Sequence, residues 1–348
     1  MNSVDQPLQI KAPIRVLVTG SRGFVGRWLL SALVRHREMC GEIVATSHDG
    51  SNDWTIRGDG SSLDNTDKFA SPRFGDRLDI CDAHAVHSFI EGFRPDAIIH
   101  LAAKSNVQEA WRTPQTVWDV NVRGTAIVAE AVRSIVPRAL FLYVGSSESY
   151  GSSFNAWMQP VDETAPLAPL NPYAASKAAA DLLIGRMSQD GLNSIRFRPF
   201  NHTGPGQNDR FVVPAFAAQI ARAECGLQER VVRVGNLDAV RDFLDVRDVV
   251  AAYVRGVFLK QPLQPGSVLN IASGVPRRIG DILEALLPHA RIPIQIEIDP
   301  GRIRPSDLPV AVGDASRARA LLGWQPTIPW EQTLIDVLSD QRERFKSR

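Results

Sequence analysis

Ile14-Arg15-Val16-Leu17-Val18-Thr19-Gly20-Ser21-Arg22-Gly23-Phe24-Val25-Gly26 is the stretch whose reading decides the fold. Ile14 to Val18 is a short apolar run of the kind that makes a buried parallel strand, and Phe24 to Arg35 repeats its apolar residues at helical spacing. Three glycines lie between or just inside them. Gly20 lets the chain turn sharply, Gly23 leaves room for a pyrophosphate to approach the backbone, and Gly26 lets the helix sit close on the sheet. The helix N-terminus then offers unpaired N–H groups to an anion. A glycine triplet occurs in many tight loops; the strand before it and the helix after it make this one a dinucleotide cradle.

Around that cradle the composition sets bounds. The 348 residues fit one large α/β domain or a nucleotide-binding domain with a smaller one grown onto it, and 44% hydrophobic residues suffice for a packed core. Lys and Arg number 39 against 38 Asp and Glu, a net charge of +1, so nothing argues for nucleic acid or an anionic membrane as partner. A locally bound anionic substrate stays compatible. Cys40, Cys81 and Cys225 are far apart, and neither they nor the seven histidines have metal-ligand spacing, so no metal is expected and a reducing setting is the simpler reading. No signal peptide or apolar span of about 18 residues is evident, which points to the cytoplasm.

Downstream, Glu42 to Ser47 reads as a second strand whose end meets the adenosine ribose. An acidic residue there would accept from the 2′-OH and repel a 2′-phosphate; this chain has Ser47 and His48, with Asp49 one step later. Arg22 either reaches a 2′-phosphate or is a solvent-facing loop arginine, and NADP(H) is the expected cofactor with NAD(H) also admitted. Asp49 to Gly75 is polar and irregular. Arg77 to Ile80 reads as a short strand end, with Asp79 placed to accept from the adenine amino group and Asp82 to cap a helix. Ala97 to Ala103 is a strand ending in small residues where a cofactor passes close to the backbone, Asp119 to Val132 a helix, and Arg138 to Val144 a further strand. This alternation predicts an α/β fold with a doubly wound, Rossmann-type parallel sheet. Residues 13–200 are assigned to the cofactor domain with 236–260 returning to it, and 201–235 with 261–344 mainly to a smaller substrate-binding domain.

Tyr173-Ala174-Ala175-Ser176-Lys177 sets a phenol and an ammonium four residues apart on one helix face. A nearby lysine favours the phenolate and lets the tyrosine exchange a proton closer to neutral pH. Such a pair is common on ordinary helices, but here Ser146, Ser147 and Glu148 follow a strand that ends at Val144, placing hydroxyl and carboxylate at the same sheet edge.

At these residues the chain resembles the extended short-chain dehydrogenases/reductases that modify nucleotide sugars, over Pro13 to Arg344. The matching pieces are TGSRGFVG at 19–26, HLAAKSNV at 100–107, VNVRGT at 120–125, GSSESYG at 145–151 and YAASK at 173–177. The resemblance implies Tyr173, Lys177 and a hydroxyl at Ser146 or Ser147 as the catalytic set, with Ser146 favoured because it lies two residues before Glu148. It extends the cofactor contacts to Phe24, Val25, Ile80, Leu101, Ala102, Ala103 and Phe200, and makes Asn121 a brace of the lysine's surroundings. Lys104 stands where many relatives have glutamine and, with Ser105, adds to the substrate side.

RPFNHTGPGQ at 198–207, VGNLDAVRDFLDVRDV at 234–249 and RIRPSDLP at 302–309 are similar to GDP-mannose 4,6-dehydratases and, more closely, to GDP-6-deoxy-D-mannose reductases. That likeness implies GDP-4-keto-6-deoxy-D-mannose as substrate, with Asn201 and Val212 on its sugar and phosphate side, Arg241 and Arg304 on the pyrophosphate, and Asp307 on the guanosine. Planar guanidinium forks suit phosphoryl oxygens, although the same arginines could bridge to Asp242, Asp245 or Asp248. Glu148 argues for the dehydratase; the 201–207 and 305–309 segments argue for the reductase. Another nucleotide-sugar reductase or epimerase, and a cofactor-binding scaffold without turnover, complete the alternatives. The family further implies a homodimer through a four-helix bundle built from Val120 to Val132 and Tyr173 to Met187.

Overall fold

The structure is a computed structural model describing residues 13–36, 38–50, 73–156, 160–302 and 308–346. Strand β1 (Ile14–Thr19) runs through the glycine turn into helix α1 (Phe24–Arg35) and returns as β2 (Cys40–Ser47), which pairs parallel to β1. In β1, Val16 and Val18 face one apolar cluster and Leu17 the other, the period of a strand buried on both faces. The pattern continues through β3 (Arg73–Arg77), α2 (Ala83–Phe93) and β4 (Ala97–His100). Two short helices, α3 (Val107–Arg112) and α4 (Pro114–Trp118), lead through one π-helical turn, Asp119–Gly124, into α5 (Thr125–Ile135) and β5 (Leu140–Val144). A 3₁₀ turn, Ser147–Tyr150, and the short α6 (Ser153–Ala156) precede α7 (Pro172–Gln189) and β6 (Ser194–Pro199).

Beyond β6, β7 (Asn201–Thr203), α8 (Val212–Glu224), β8 (Val231–Val234) and β9 (Val240–Asp245) come before α9 (Val246–Val257). Then follow β10 (Ser267–Ile271), β11 (Pro276–Arg278), α10 (Ile279–Leu286), β12 (Gln295–Ile298), β13 (Val310–Ala311), α11 (Ser316–Leu322) and α12 (Trp330–Lys346). The main sheet has seven parallel strands in the order β10-β6-β5-β4-β1-β2-β3. Strand order reverses between β1 and β4, and the crevice at their carboxyl ends is where such sheets bind ligands.

Helix α9 packs against α1 on one face of this sheet, while α2, α5 and α7 cover the other. A second core, with Phe216, Val232, Phe243, Leu283 and Leu334, joins α8, α10 and α12 to two smaller sheets, β7-β9 with β11 and β13, and β8-β12.

Three details depart from the sequence reading. The third strand is Arg73–Arg77, paired with Val44 to Ser47, and Arg77 to Ile80 is the segment leaving it; Asp82 does cap α2 by accepting from the Ala85 N–H at 3.0 Å. The Asp119 helix opens in the π-helical turn before becoming regular at Thr125. Strand β10, within the 261–344 stretch read as mainly substrate-binding, forms an edge of the parallel sheet beside β6. A run of this kind suits either the parallel sheet or a small one, and pattern alone does not choose between them.

Candidate active site

The glycine cradle stands at the reversal of strand order. Gly20 has φ +69°, and a Cβ there would lie 2.5 Å from the Ala102 backbone; a Cβ on Gly26 would lie 2.2 Å from the Ser21 carbonyl oxygen. Both positions are therefore closed to side chains, which brings β1, β4 and α1 together. Gly23 caps α1 without a side-chain bond to the helix N–H groups, and a Cβ on it would meet nothing nearer than the Gly20 carbonyl at 3.4 Å. The loop thus leaves open space and helix N–H donors where phosphates would rest. The buried Arg22 Nε finds no hydrogen-bond partner among the described residues, a donor that an anion would satisfy. Phe24 and Val25 pack partly into the core, and the Phe24 ring stacks on His202. These features fit a dinucleotide.

At the end of β2, Ser47 Oγ donates to Asp49 Oδ1 at 3.0 Å, and the Arg22 guanidinium pairs with the same carboxylate. That pairing holds Asp49 below the usual carboxylate range. Ser47 and Arg22 therefore converge on an acid two residues beyond the strand end. Asp79 accepts from the Cys81 N–H at 2.9 Å and stands 3.8 Å from His48, and Ile80 is buried next to it.

After β4, Leu101, Ala102 and Ala103 are half-buried, and Lys104 and Ser105 are exposed. Asn121, in the π-helical turn, clasps Lys104: its Oδ1 accepts from the Lys104 N–H at 2.8 Å, and its Nδ2 donates to the Lys104 carbonyl at 3.0 Å. The same Nδ2 donates to Ser176 Oγ at 2.9 Å, and Ser176 donates to the Tyr173 carbonyl at 2.7 Å. Asn121 thus braces the first turn of α7. Lys104 Nζ lies 3.6 Å from Glu109.

Asn171 starts α7 by accepting from the Ala174 N–H at 2.8 Å, with Pro172 at the first helical position. This start puts Tyr173 in the first turn and Lys177 one turn later. Ser146 accepts from the Glu148 N–H at 3.2 Å, and of the two adjacent serines it is Ser146 whose hydroxyl meets the Tyr173 phenol. Ser147 is buried in the 3₁₀ turn. Glu148 is half-buried and accepts from Asn171 Nδ2 at 3.3 Å. Burial pushes the phenol up to about 12; the Ser146 hydrogen bond pulls it down and the Glu148 charge adds to the rise.

Lys177 is 6% exposed and donates to the Val144 carbonyl at 2.6 Å. Burial pushes its ammonium down to about 8, opposed by the charge of Asp181. Here the sequence reading and the structure part: spacing suggested a lysine that draws the phenol down, whereas the ammonium turns to Val144 and burial controls the phenol.

Of the residues expected on the substrate side, Asn201 lies in β7, half-buried, and Val212 opens α8. Arg241 Nη1 donates to the Val240 and Leu308 carbonyls at 2.9 and 2.7 Å. Asp242, Asp245 and Asp248 have other partners: Ser273, Arg247 and Thr327 respectively. The Phe200 ring is buried among Tyr150 and Phe154. Arg304 and Asp307 lie outside the described residues.

Sequence reasoning missed a buried network behind Lys177. Asp181 Oδ1 accepts from Arg196 Nη1 at 2.8 Å and Arg198 Nη2 at 2.9 Å, and its Oδ2 from Arg198 Nε at 3.0 Å. Arg198 Nη1 donates to Tyr150 Oη at 3.0 Å, and Tyr150 donates to Asn270 Oδ1 at 2.7 Å. The signal was present in Asp181, four residues after Lys177 and so on the same face of α7.

With this geometry in place, fold and comparison together define the class: the chain is an NAD(P)-dependent enzyme of the extended short-chain dehydrogenase/reductase superfamily, of the kind that acts on nucleotide sugars. More narrowly, it belongs to the family whose model is described as GDP-mannose 4,6 dehydratase, which matches residues 17–337. It is 38% identical over 253 residues to a GDP-6-deoxy-D-mannose reductase of Pseudomonas aeruginosa, covering 72% of this chain and 82% of that one. Against GDP-mannose 4,6 dehydratase 1 of Arabidopsis thaliana it is 30% identical over 270 residues, 76% of this chain and 72% of the relative. The solved structure of RMD from Pseudomonas aeruginosa complexed with NADPH superposes with a TM-score of 0.78 at 32% identity, covering 95% of this chain and 99% of that one.

Proposed function

We propose that this chain is a GDP-6-deoxy-D-mannose reductase that converts the C4 ketone of GDP-4-keto-6-deoxy-D-mannose to the alcohol of GDP-D-rhamnose. The observation that carries this reading is the identity of 38% to a reductase of that name, against 30% to the dehydratase. NADPH, which the similar reductase structure holds, is the expected cofactor, with NADH admitted. Residues 13–200 and 236–260 make up its cofactor half and 201–235 and 261–344 mainly its substrate half, with β10 lent to the parallel sheet.

The cradle at Gly20, Gly23 and Gly26 would hold the pyrophosphate, Arg22, Ser47 and Asp49 the adenosine ribose, and Tyr173 with Lys177 the nicotinamide ribose. When bound, the reduced cofactor supplies a hydride to the carbonyl carbon. Ser146 Oγ donates to the carbonyl oxygen and polarises it, and Tyr173 Oη gives that oxygen the proton that completes the alcohol. Lys177, held against Val144, would keep its positive charge one helical turn from Tyr173 as the phenol loses that proton. Asn121 keeps the first turn of α7, and so Tyr173, in place. Arg241 and Arg304 would neutralise the diphosphate, and Asp307 would face the guanosine.

Glu148 supports a second reading as GDP-mannose 4,6-dehydratase, because a half-buried carboxylate near Tyr173 could serve as the extra acid or base at C5 and C6. The two are separated by identifying the product formed from GDP-mannose with and without an added dehydratase. A reductase gives GDP-D-rhamnose only when the dehydratase is present; a dehydratase alone gives the 4-keto-6-deoxy sugar.

The reading includes the cytoplasm as its compartment; among the described residues no helix is long and apolar enough to cross a membrane. It also includes a homodimer through the helices of 120–132 and 173–187. Leu182 on α7 is 61% exposed and Trp118 at the end of α4 is 48% exposed, apolar surface that a second copy would cover.

A further inference from the structure

Lys177 is an ammonium in a site with one short hydrogen bond, to a carbonyl, so a counter-charge has to come from deeper in the fold. One helical turn further along α7 stands Asp181, fully buried, with both oxygens held by the guanidinium forks of Arg196 and Arg198. Gly145, just before Ser146, borders it: a Cβ there would lie 3.0 Å from the Phe197 carbonyl and 3.4 Å from Asp181 Oδ2. The charge cluster therefore lies next to the turn that carries the candidate hydroxyl.

We propose that Asp181, clamped by Arg196 and Arg198, is the buried counter-charge that keeps Lys177 an ammonium, acting on the reaction through Lys177 as a positioning residue. The inference rests on reading Tyr173 and Lys177 as the proton-transfer pair. Among the described residues, the other groups that face Lys177 supply no competing anion. From β5 comes the Tyr143 ring, 5.1 Å from Nζ, whose phenol burial keeps protonated. From β4 comes His100, which burial and the Lys177 charge keep neutral, down to about 3. From β6 come only the two arginines. Elsewhere around α7, Glu148 is half-buried and turned to Asn171, Glu109 of α3 faces Lys104, and Asp119 and Arg123 of the π-helical turn are exposed. Arg112 of α3 is exposed too, and Glu130 and Arg133 of α5 pair with each other. Asp181 is thus the buried carboxylate on the same face as the ammonium.

Two substitutions move the charge at Lys177 in opposite directions. Asp181→Asn removes the anion and leaves two arginines to repel the ammonium, so Lys177 loses its proton at lower pH. Arg196→Met removes one of the cations that offset Asp181, while Arg198 still holds both carboxylate oxygens, so Lys177 keeps its proton to higher pH. The readout is NADPH affinity from pH 6 to 10 by fluorescence titration, with no sugar present. Affinity in the parent should weaken through a midpoint near pH 8, and Lys177→Met should abolish that limb. The midpoint should move down by about one unit in Asp181→Asn and up by about half a unit in Arg196→Met. Should Asp181→Asn fail to fold, the upward shift in Arg196→Met decides, since that side chain is 15% exposed and its loss leaves Asp181 paired. A midpoint common to parent and variants, shifts of the same sign, or a limb that survives Lys177→Met would overturn the inference. Absence of turnover on the 4-ketosugar alongside opposite shifts would remove the substrate reading and leave this one standing.

Discussion

Held up to about 12 by burial, the phenol of Tyr173 carries its proton throughout the neutral range, as the proposed donor role requires. Tyr173→Phe keeps the ring and removes that proton, so turnover should fall on the order of 10² or more while NADPH affinity is largely retained; near-normal turnover would reject the assignment. The placement of Tyr173 and Lys177 one turn apart in α7 was legible because four-residue spacing on a helix is a local property. The choice between Ser146 and Ser147 came from resemblance, and it is the Ser146 hydroxyl that meets the phenol. What the sequence hid is where each charge goes. Lys177 spends a hydrogen bond on Val144 and feels Asp181, and the arginines clamping that acid sit on β6, which reaches α7 only through tertiary packing.

Between elements, the cradle depends on backbones meeting closely. Gly26→Ala would force a Cβ to within 2.2 Å of the Ser21 carbonyl, so the turn from β1 to α1 must shift. A cost of about 1–3 kcal/mol is expected, seen as a Tm lower by a few degrees with weakened NADPH binding. His100 performs a second joining role: its Nδ1 meets Thr19 Oγ1 at 2.8 Å and its Nε2 meets Thr125 Oγ1 at 3.0 Å, tying β1 and β4 to α5. Thr125 donates its own proton to the Asn121 carbonyl, so Nε2 must be the donor and Nδ1 the acceptor. With His100 at about 3 in the fold and 6.5 when unfolded, the unfolded chain binds more protons between those values, and stability falls as pH drops through that window. From pH 7 to 5 that loss is about 2 kcal/mol. Denaturant melts should show His100→Gln losing less over that interval than the parent; equal losses would remove His100 as the cause. Neither the π-helical turn nor the Arg73–Arg77 strand was readable from pattern, since register and helix bulging are decided by partners.

For the molecule as a whole, the parallel sheet could be read because the apolar runs at 14–18, 42–47, 97–103 and 138–144 read as strands with helices between them. Helix α9, inside the 236–260 stretch assigned to the cofactor domain, packs against α1. The place of strand β10 was not readable, since its partner β6 lies about 70 residues earlier and only tertiary pairing brings the two together. Assembly is tested by Leu182→Arg, which puts a charge on exposed apolar surface of α7. If two copies bury that surface, sedimentation at micromolar concentration should show a dimer in the parent and a shift toward monomer in the variant; a monomeric parent would contradict the bundle.

The reaction itself is tested most directly by counting cofactor. Purified protein, NADPH and GDP-4-keto-6-deoxy-D-mannose should yield GDP-D-rhamnose with one NADPH oxidised per product, because no later step returns the hydride, and GDP-mannose should be left largely unchanged. Efficient turnover of GDP-mannose with no net NADPH oxidation, together with failure to reduce the 4-ketosugar, would contradict the reductase and assign the chain to the dehydratases.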